Sequence, residues 1–288
     1  MKPAPFDYVR PGSLDDALAA LVGDPGAKVL AGGQSLVPLL SMRLASPSRL
    51  VDINGLPRLD SVEAGPGGVR IGALARHADV LASDDVRRVQ PLVSLALANV
   101  AHATIRNRGT TVGSIIHADA AAEMPVVLQL LGGSVEVESS PGRRTIPADE
   151  LFVGPLETSL QHDEIAVVAY FPALPSGAGV AFDEISRRHG DYAICGVAAL
   201  VRVEGGSVVE AKAGYLSVND TPEVVDLGGV LADGVGDETL AAAGEAALAQ
   251  LDPADDIHAT AAYRAQLVRV LTSRVVRSAH SDALRRSA

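Results

Sequence analysis

The 288-residue sequence contains one cysteine and no tryptophan, and only four phenylalanines and five tyrosines supply its aromatic rings. Cys195 standing alone rules out an internal disulfide, and any iron–sulfur cluster or cysteine-rich zinc site built by this chain alone. It lies in the apolar run Ile194 to Leu200 and reads as a buried, inert thiol. The seven histidines (His77, His102, His117, His162, His189, His258, His280) form no H-x-x-x-H or H-E-x-x-H pair, so no metal site is predicted. Positive charge is also scarce. A formal charge of −11 argues against nucleic acid as a partner, because phosphate binding needs a basic stripe.

Long apolar runs are missing too. The longest, Met124 to Leu131, is interrupted by Pro125 and Gln129, and no membrane span is expected. The start, MKPAPFDYVRPG, carries three prolines where a secretory signal would have its apolar segment, which makes a cytoplasmic protein the expectation. Nothing matches G-x-G-x-x-G, G-x-x-x-x-G-K-[ST] or G-x-S-x-G, so Rossmann, P-loop and serine-hydrolase sites are unsupported. No catalytic acid–base residue is assigned.

What is present is a globular composition, 48% hydrophobic and 20% charged, in a chain longer than the roughly 250 residues one core usually fills. Ser13 caps a helix through Leu18 and Leu21 that stops near Gly23. Short strands are predicted at Lys28 to Ala31, in RLVDING (residues 49–55) and at Val69 to Gly72, with helices through Val80 and across RVQPLVSLALANVAH, where Leu92, Leu95 and Leu97 are expected to be buried at least in part. Residues 132–152 read as a hairpin turning at Pro141-Gly142, and DEIAVVAYFP as a further strand. FPALPSGAGVAF marks a boundary near 173–179. Beyond it, strands turn at Gly205-Gly206. Two helices follow, the second with Leu267, Val268, Leu271 and Val275 along one stripe and a frayed tail from Ser281.

Three glycine clusters punctuate this pattern. In KVLAGGQSLVPLLSMRL (residues 28–44), Gly32-Gly33 lies between strand and helix, which suits a tight turn or a cradle for phosphate. In IRNRGTTVGSIIHADAAAEMP (residues 105–125), Gly109 and Gly113 bracket small hydroxyl residues, either a phosphate-binding loop or a capped helix start. Asp119 and Glu123 follow at i, i+4, a spacing that would put both carboxylates on one helical face within reach of sugar hydroxyls. In SRRHGDYAICGVAA (residues 186–199), a Gly190-Asp191 turn presents Tyr192, which can stack on a flat ring or cap a core.

Taken in order, AGGQSL, VDIN, IGALARHADV, IRNRGTTVGS, HADAAAEMP, RRHGDYAICGVAA and the final YRAQLVRVLTSRVVRSA resemble the FAD-binding medium subunit of the molybdenum hydroxylases, the xanthine dehydrogenase and aerobic carbon monoxide dehydrogenase group. The resemblance runs from about Pro5 to His280. It implies an α+β protein: two α/β subdomains forming an FAD-binding domain over 1–175, then a small α+β domain over 176–288. It places Lys28, Leu30, Ala31, Gly32, Gly33, Gln34, Ser35 and Leu36 at the cofactor from the first loop. Thr110, Thr111, Gly113, Ser114 and His117 come from the second. Asp119 and Glu123 would stand near the ribityl or adenosine hydroxyls, Leu160 would give an apolar contact, and Asp191 with Tyr192 would meet the isoalloxazine.

One departure is Val112, which stands where the family's second loop carries a first glycine. A β-branched residue there requires either a backbone that avoids positive φ or a ligand lying slightly farther away. Another is Asp183 or Glu184, at a position where some relatives carry a lysine, which weakens without excluding an NAD-reducing role. The implied function is electron transfer from [2Fe-2S] clusters of a small subunit, through FAD, to an external acceptor. The molybdenum cofactor would lie in a large subunit and the whole would be a dimer of heterotrimers. A stand-alone FAD-dependent oxidoreductase and a non-redox nucleotide-binding module are the alternatives.

Overall fold

The computed structural model describes residues 2–287. Its first helix, Leu14–Val22, forms where expected: Ser13 Oγ accepts the Asp16 N–H at 3.1 Å, and Gly23 closes the last turn. Ala17, Leu18 and Leu21 are buried and join one apolar cluster with the three-stranded sheet beside them. In that sheet Arg49–Asp52 is central and runs parallel to both Asp7–Val9 and Ala27–Leu30.

A second sheet of five strands has the order Val62–Gly65, Gly68–Gly72, Ile165–Pro172, Ser134–Ser139, Gly142–Pro147, and every ladder is antiparallel. Helix Pro91–Leu97 buries Leu92, Val93, Ala96 and Leu97 against this part of the core. Leu95, expected with them, is 42% exposed, because the helical period turns it to the opposite face.

After Pro172 the chain enters a third sheet, an antiparallel meander of Ala178–Ser186, Ala193–Glu204, Ser207–Leu216 and Glu223–Asp226. Gly205 and Gly206, with φ of 58° and 87°, make its tight hairpin turn. Cys195 is fully buried here, and burial pushes its thiol up to about 12. Helix Glu123–Leu130 packs on this sheet through Val126 and on Pro91–Leu97, so one core spans both regions.

Helix Ala261–Ser287 covers the meander, with Leu267, Val268, Leu271 and Val275 buried as the stripe requires. The expected fraying from Ser281 is corrected. Ala283 is fully buried, and Asp282 accepts the Val180 N–H at 3.2 Å and pairs with Arg286 at 2.7 Å, so tertiary contacts hold the last turns. None of the described helices is long and apolar enough to cross a membrane.

Gly179 lets the strand and this helix touch, since an added methyl there would overlap the Ala283 nitrogen and the Ala279 carbonyl. Gly179→Ala is therefore expected to cost about 2–3 kcal/mol in denaturant-monitored unfolding. A loss below about 0.5 kcal/mol would refute this packing.

Candidate functional site

Strand Ala27–Leu30 ends at the edge of its sheet, and the chain turns through Ala31 to Ser35 into helix Leu36–Met42. Gly33, with φ of 73°, makes the turn. Gln34 Nε2 donates back to the Gly32 carbonyl at 3.3 Å. No backbone N–H from Gly32 to Ser35 donates to another described residue, so the loop carries a row of free donors. Lys28 is exposed on the strand, while Leu30 and Leu36 are half-buried on either side of the turn.

The second loop lies directly against the first. A methyl group at Gly32 would stand 2.5 Å from the Arg108 carbonyl oxygen and 2.9 Å from both Gly109 Cα and the Thr110 nitrogen. Backbone meets backbone, and glycine is the residue that fits. Thr110 caps helix Thr111–His117, its Oγ1 accepting the Gly113 N–H at 3.2 Å, and a methyl at Gly113 would overlap that hydroxyl. Val112 lies inside this helix in right-handed backbone, its side chain buried. Thr111 is fully buried and turns inward, 3.1 Å from His77 Nδ1, whereas Ser114 is half-buried. Burial, then the Arg106 charge, lowers the His77 pKa to about 4, so the ring is neutral at pH 7 and holds the loop as a plain hydrogen-bond partner. Half-buried His117 ends the helix, its pKa lowered by burial.

Behind the two loops runs a polar chain that pattern reading left without roles. Tyr8 donates to Asp52. Asp52 Oδ1 accepts from the Asn54 N–H at 2.9 Å, and Asn54 Nδ2 donates to the Ala31 carbonyl at 2.8 Å. Arg76 Nη2 donates to Asn54 Oδ1, and Nη1 to the Arg108 carbonyl, both at 2.8 Å. Asn54, Arg76 and His77 all fall within motifs quoted above, VDIN and IGALARHADV. Sequence proximity could not reveal that they join the loops.

Asp119 and Glu123 do not share a helix, contrary to their spacing. Ala118, with φ of 53°, ends one helix, Asp119 accepts the Ala121 N–H in the turn at 2.9 Å, and Glu123 opens the next. Glu123 is nevertheless buried, and that burial raises its carboxyl to about 7, with Asp119 adding to the rise. Glu184, from the third sheet, faces the same region and is pushed up to about 8 by burial, then by Glu123 and Asp183. Its Oε2 is buried without a partner.

Exposed Tyr192 projects at 66% beside Asp191, in the turn made by Gly190 with φ of 86°. A methyl at Gly190 would lie 2.5 Å from the His102 ring, so this turn rests on the segment that leads into the second loop. Tyr192 and Asp119 line a cleft of about 1100 Å³ whose rim carries Asp220, Asp252 and Asp255. The glycine loops lie outside it. Leu160 is half-buried against the main core.

The family described as "FAD binding domain in molybdopterin dehydrogenase" matches residues 4–174, and "CO dehydrogenase flavoprotein C-terminal domain" matches 180–279. The fold and these segments define an FAD-binding oxidoreductase subunit. The 6-hydroxypseudooxynicotine dehydrogenase complex subunit alpha of Paenarthrobacter nicotinovorans is 44% identical over 97% of this chain and 96% of its own. Among solved structures, quinoline 2-oxidoreductase from Pseudomonas putida 86 is 35% identical, with a TM-score of 0.92 over 99% of this chain and 100% of that one. Carbon monoxide dehydrogenase from Hydrogenophaga pseudoflava is 32% identical, with a TM-score of 0.92 over 98% and 99%. The chain belongs to the flavoprotein medium subunits of the molybdenum hydroxylase family, and FAD is its cofactor.

The raised carboxyls give a signed pH dependence. Glu123 and Glu184 hold protons in the folded state that the unfolded chain releases near the ordinary 4.5, so their stabilising contribution is complete below that value and is lost as pH rises through about 7 and 8. Glu123→Gln in the flavin-free protein is expected to gain stability relative to wild type, by up to about 3 kcal/mol between pH 4.5 and 8. Parallel unfolding curves across that range would refute the burial argument.

Proposed function

We propose that this chain takes electrons from [2Fe-2S] clusters in a small partner subunit and delivers them, through FAD, to an external acceptor. Substrate oxidation would take place at a molybdenum cofactor in a large partner subunit, within a cytoplasmic dimer of heterotrimers. The need for partners rests on cysteine: Cys195 is the sole thiol, buried and protonated, and cannot build a cluster. Residues 1–175 would form the FAD-binding domain and 176–288 a second domain.

Bound FAD supplies the redox chemistry. The residues of this chain hold and orient it. The observation that carries the reading is the contact at Gly32, which sets the free N–H groups of the first loop against the second loop. Free amides in a glycine turn, with no side chain to block approach, suit a diphosphate. Thr110 and Gly113 keep the second loop's shape, and Ser114 offers a hydroxyl beside it. Asp119 and Glu123 would accept hydrogen bonds from the ribityl or adenosine hydroxyls. Tyr192 would limit access to the isoalloxazine from the acidic cleft.

The relatives are named for unlike substrates, a nicotine derivative, quinoline and carbon monoxide, while this fold is shared. The choice of substrate therefore belongs to the large subunit.

Purified chain is expected to be yellow, or to bind added FAD, and to turn over only with its partners. Gly32→Ala is expected to weaken FAD binding by about tenfold or more, because the added methyl parts the loops. A colourless chain that cannot be loaded with FAD, or an alanine variant with wild-type affinity, would overturn the reading.

A further inference from the structure

Many arginines on this acidic chain sit on carboxylates, among them Arg70 on Glu136, Arg144 on Glu164, Arg264 on Asp256 and Arg274 on Asp183. Those at the seam of the two glycine loops do not. Among the described residues, neither Arg76 nor Arg108 comes within ion-pair distance of a carboxylate.

The half-buried Arg76 guanidinium spends its hydrogen bonds on neutral oxygens, the Arg108 carbonyl and Asn54 Oδ1, and through Asn54 it reaches the Ala31 carbonyl. It thus touches the second loop directly and the first through one side chain. Burial, then the Arg108 charge, lowers its pKa, while Asp79, Asp52 and Asp60 act at longer range in the other direction. Asp52, the carboxylate of the same polar chain, is already held by Tyr8 and Asn54. Nearby His77 is neutral and brings no charge. Two unneutralised cations side by side, one half out of water, carry an electrostatic cost that an anion would relieve. The loops' amides are dipoles and supply no net charge for a diphosphate.

We propose that Arg76, reinforced by Arg108, is a positioning residue that clamps the two glycine loops and supplies the net positive charge balancing the FAD diphosphate. This rests on the FAD reading above. It adds that affinity for the phosphates is ionic as well as hydrogen-bonded, so it falls with salt.

The test is titration of flavin-free full-length protein with FAD at several salt concentrations, with riboflavin, which lacks phosphate, as the control ligand. Arg76→Gln is expected to weaken FAD binding about tenfold at low salt, to flatten the salt dependence and to leave riboflavin binding unchanged. Arg76→Lys keeps the charge and is expected to restore most of the salt slope. Asn54→Ala breaks the clamp and keeps the charge, and is expected to retain that slope. Exposed Arg108→Gln provides the same salt reading in a variant with little packing to lose. Wild-type affinity and slope in both Gln variants would overturn the inference, as would equal loss of FAD and riboflavin. If wild-type protein itself binds no FAD, the functional reading falls first and takes this inference with it. If wild type binds FAD and the Gln variants do not differ from it, only the inference falls.

Discussion

Two loops, from chain segments about eighty residues apart, meet backbone to backbone at Gly32, and the remainder of the site is arranged around that contact. Any side chain at position 32 would overlap the Arg108 carbonyl and the Gly109 backbone and so push the loops apart. Among the described residues the first loop's N–H groups have no protein acceptor, which is costly in isolation and useful where an acceptor arrives. Each neighbouring feature maintains the approach. Thr110 caps the helix behind the second loop, the Thr111–His77 pair anchors its inner face, and Arg76 with Asn54 ties both loops from behind.

Electrostatics divides the site into unlike halves. Around the loops lie Arg76, Arg106 and Arg108, with Asp52 held by Tyr8 and Asn54 and with Asp60 and Asp79 at longer range. Around Tyr192 lie Asp119, Glu123 and Glu184, and the cleft beyond is rimmed by further carboxylates. A dinucleotide cofactor has the same polarity, with charged phosphates in the middle and an uncharged ring system at one end. Burial, with Asp119 adding to the rise at Glu123 and Glu123 to that at Glu184, lifts the two carboxyls to about 7 and about 8, so at neutral pH the acidic half carries less charge than its composition suggests.

Much of this was legible before the fold was known. The capped first helix, the strand before Gly32, the hairpin at Gly205-Gly206 and the buried Cys195 follow from local rules: capping, periodicity, turn chemistry and apolar surroundings. The misses have different causes. Leu95 faces solvent because the helical period turns it away from the face that buries Leu92 and Ala96, and Asp119 and Glu123 are split by a left-handed Ala118. The last helix stays ordered past Ser281 because tertiary contacts of Asp282 and Ala283 override the tendency of a terminus to fray.

By itself the sequence determined the glycine positions, the lack of cysteine ligands and the family, because these are properties of residue identity and order. Only the tertiary structure decided that Gly32 faces Gly109, that Arg76 spans both loops and that Glu184, on the third sheet, stands near the helix start at Glu123. Those pairings link residues tens of positions apart. Short-range periodicity holds no information about them, and chain packing alone brings such groups together.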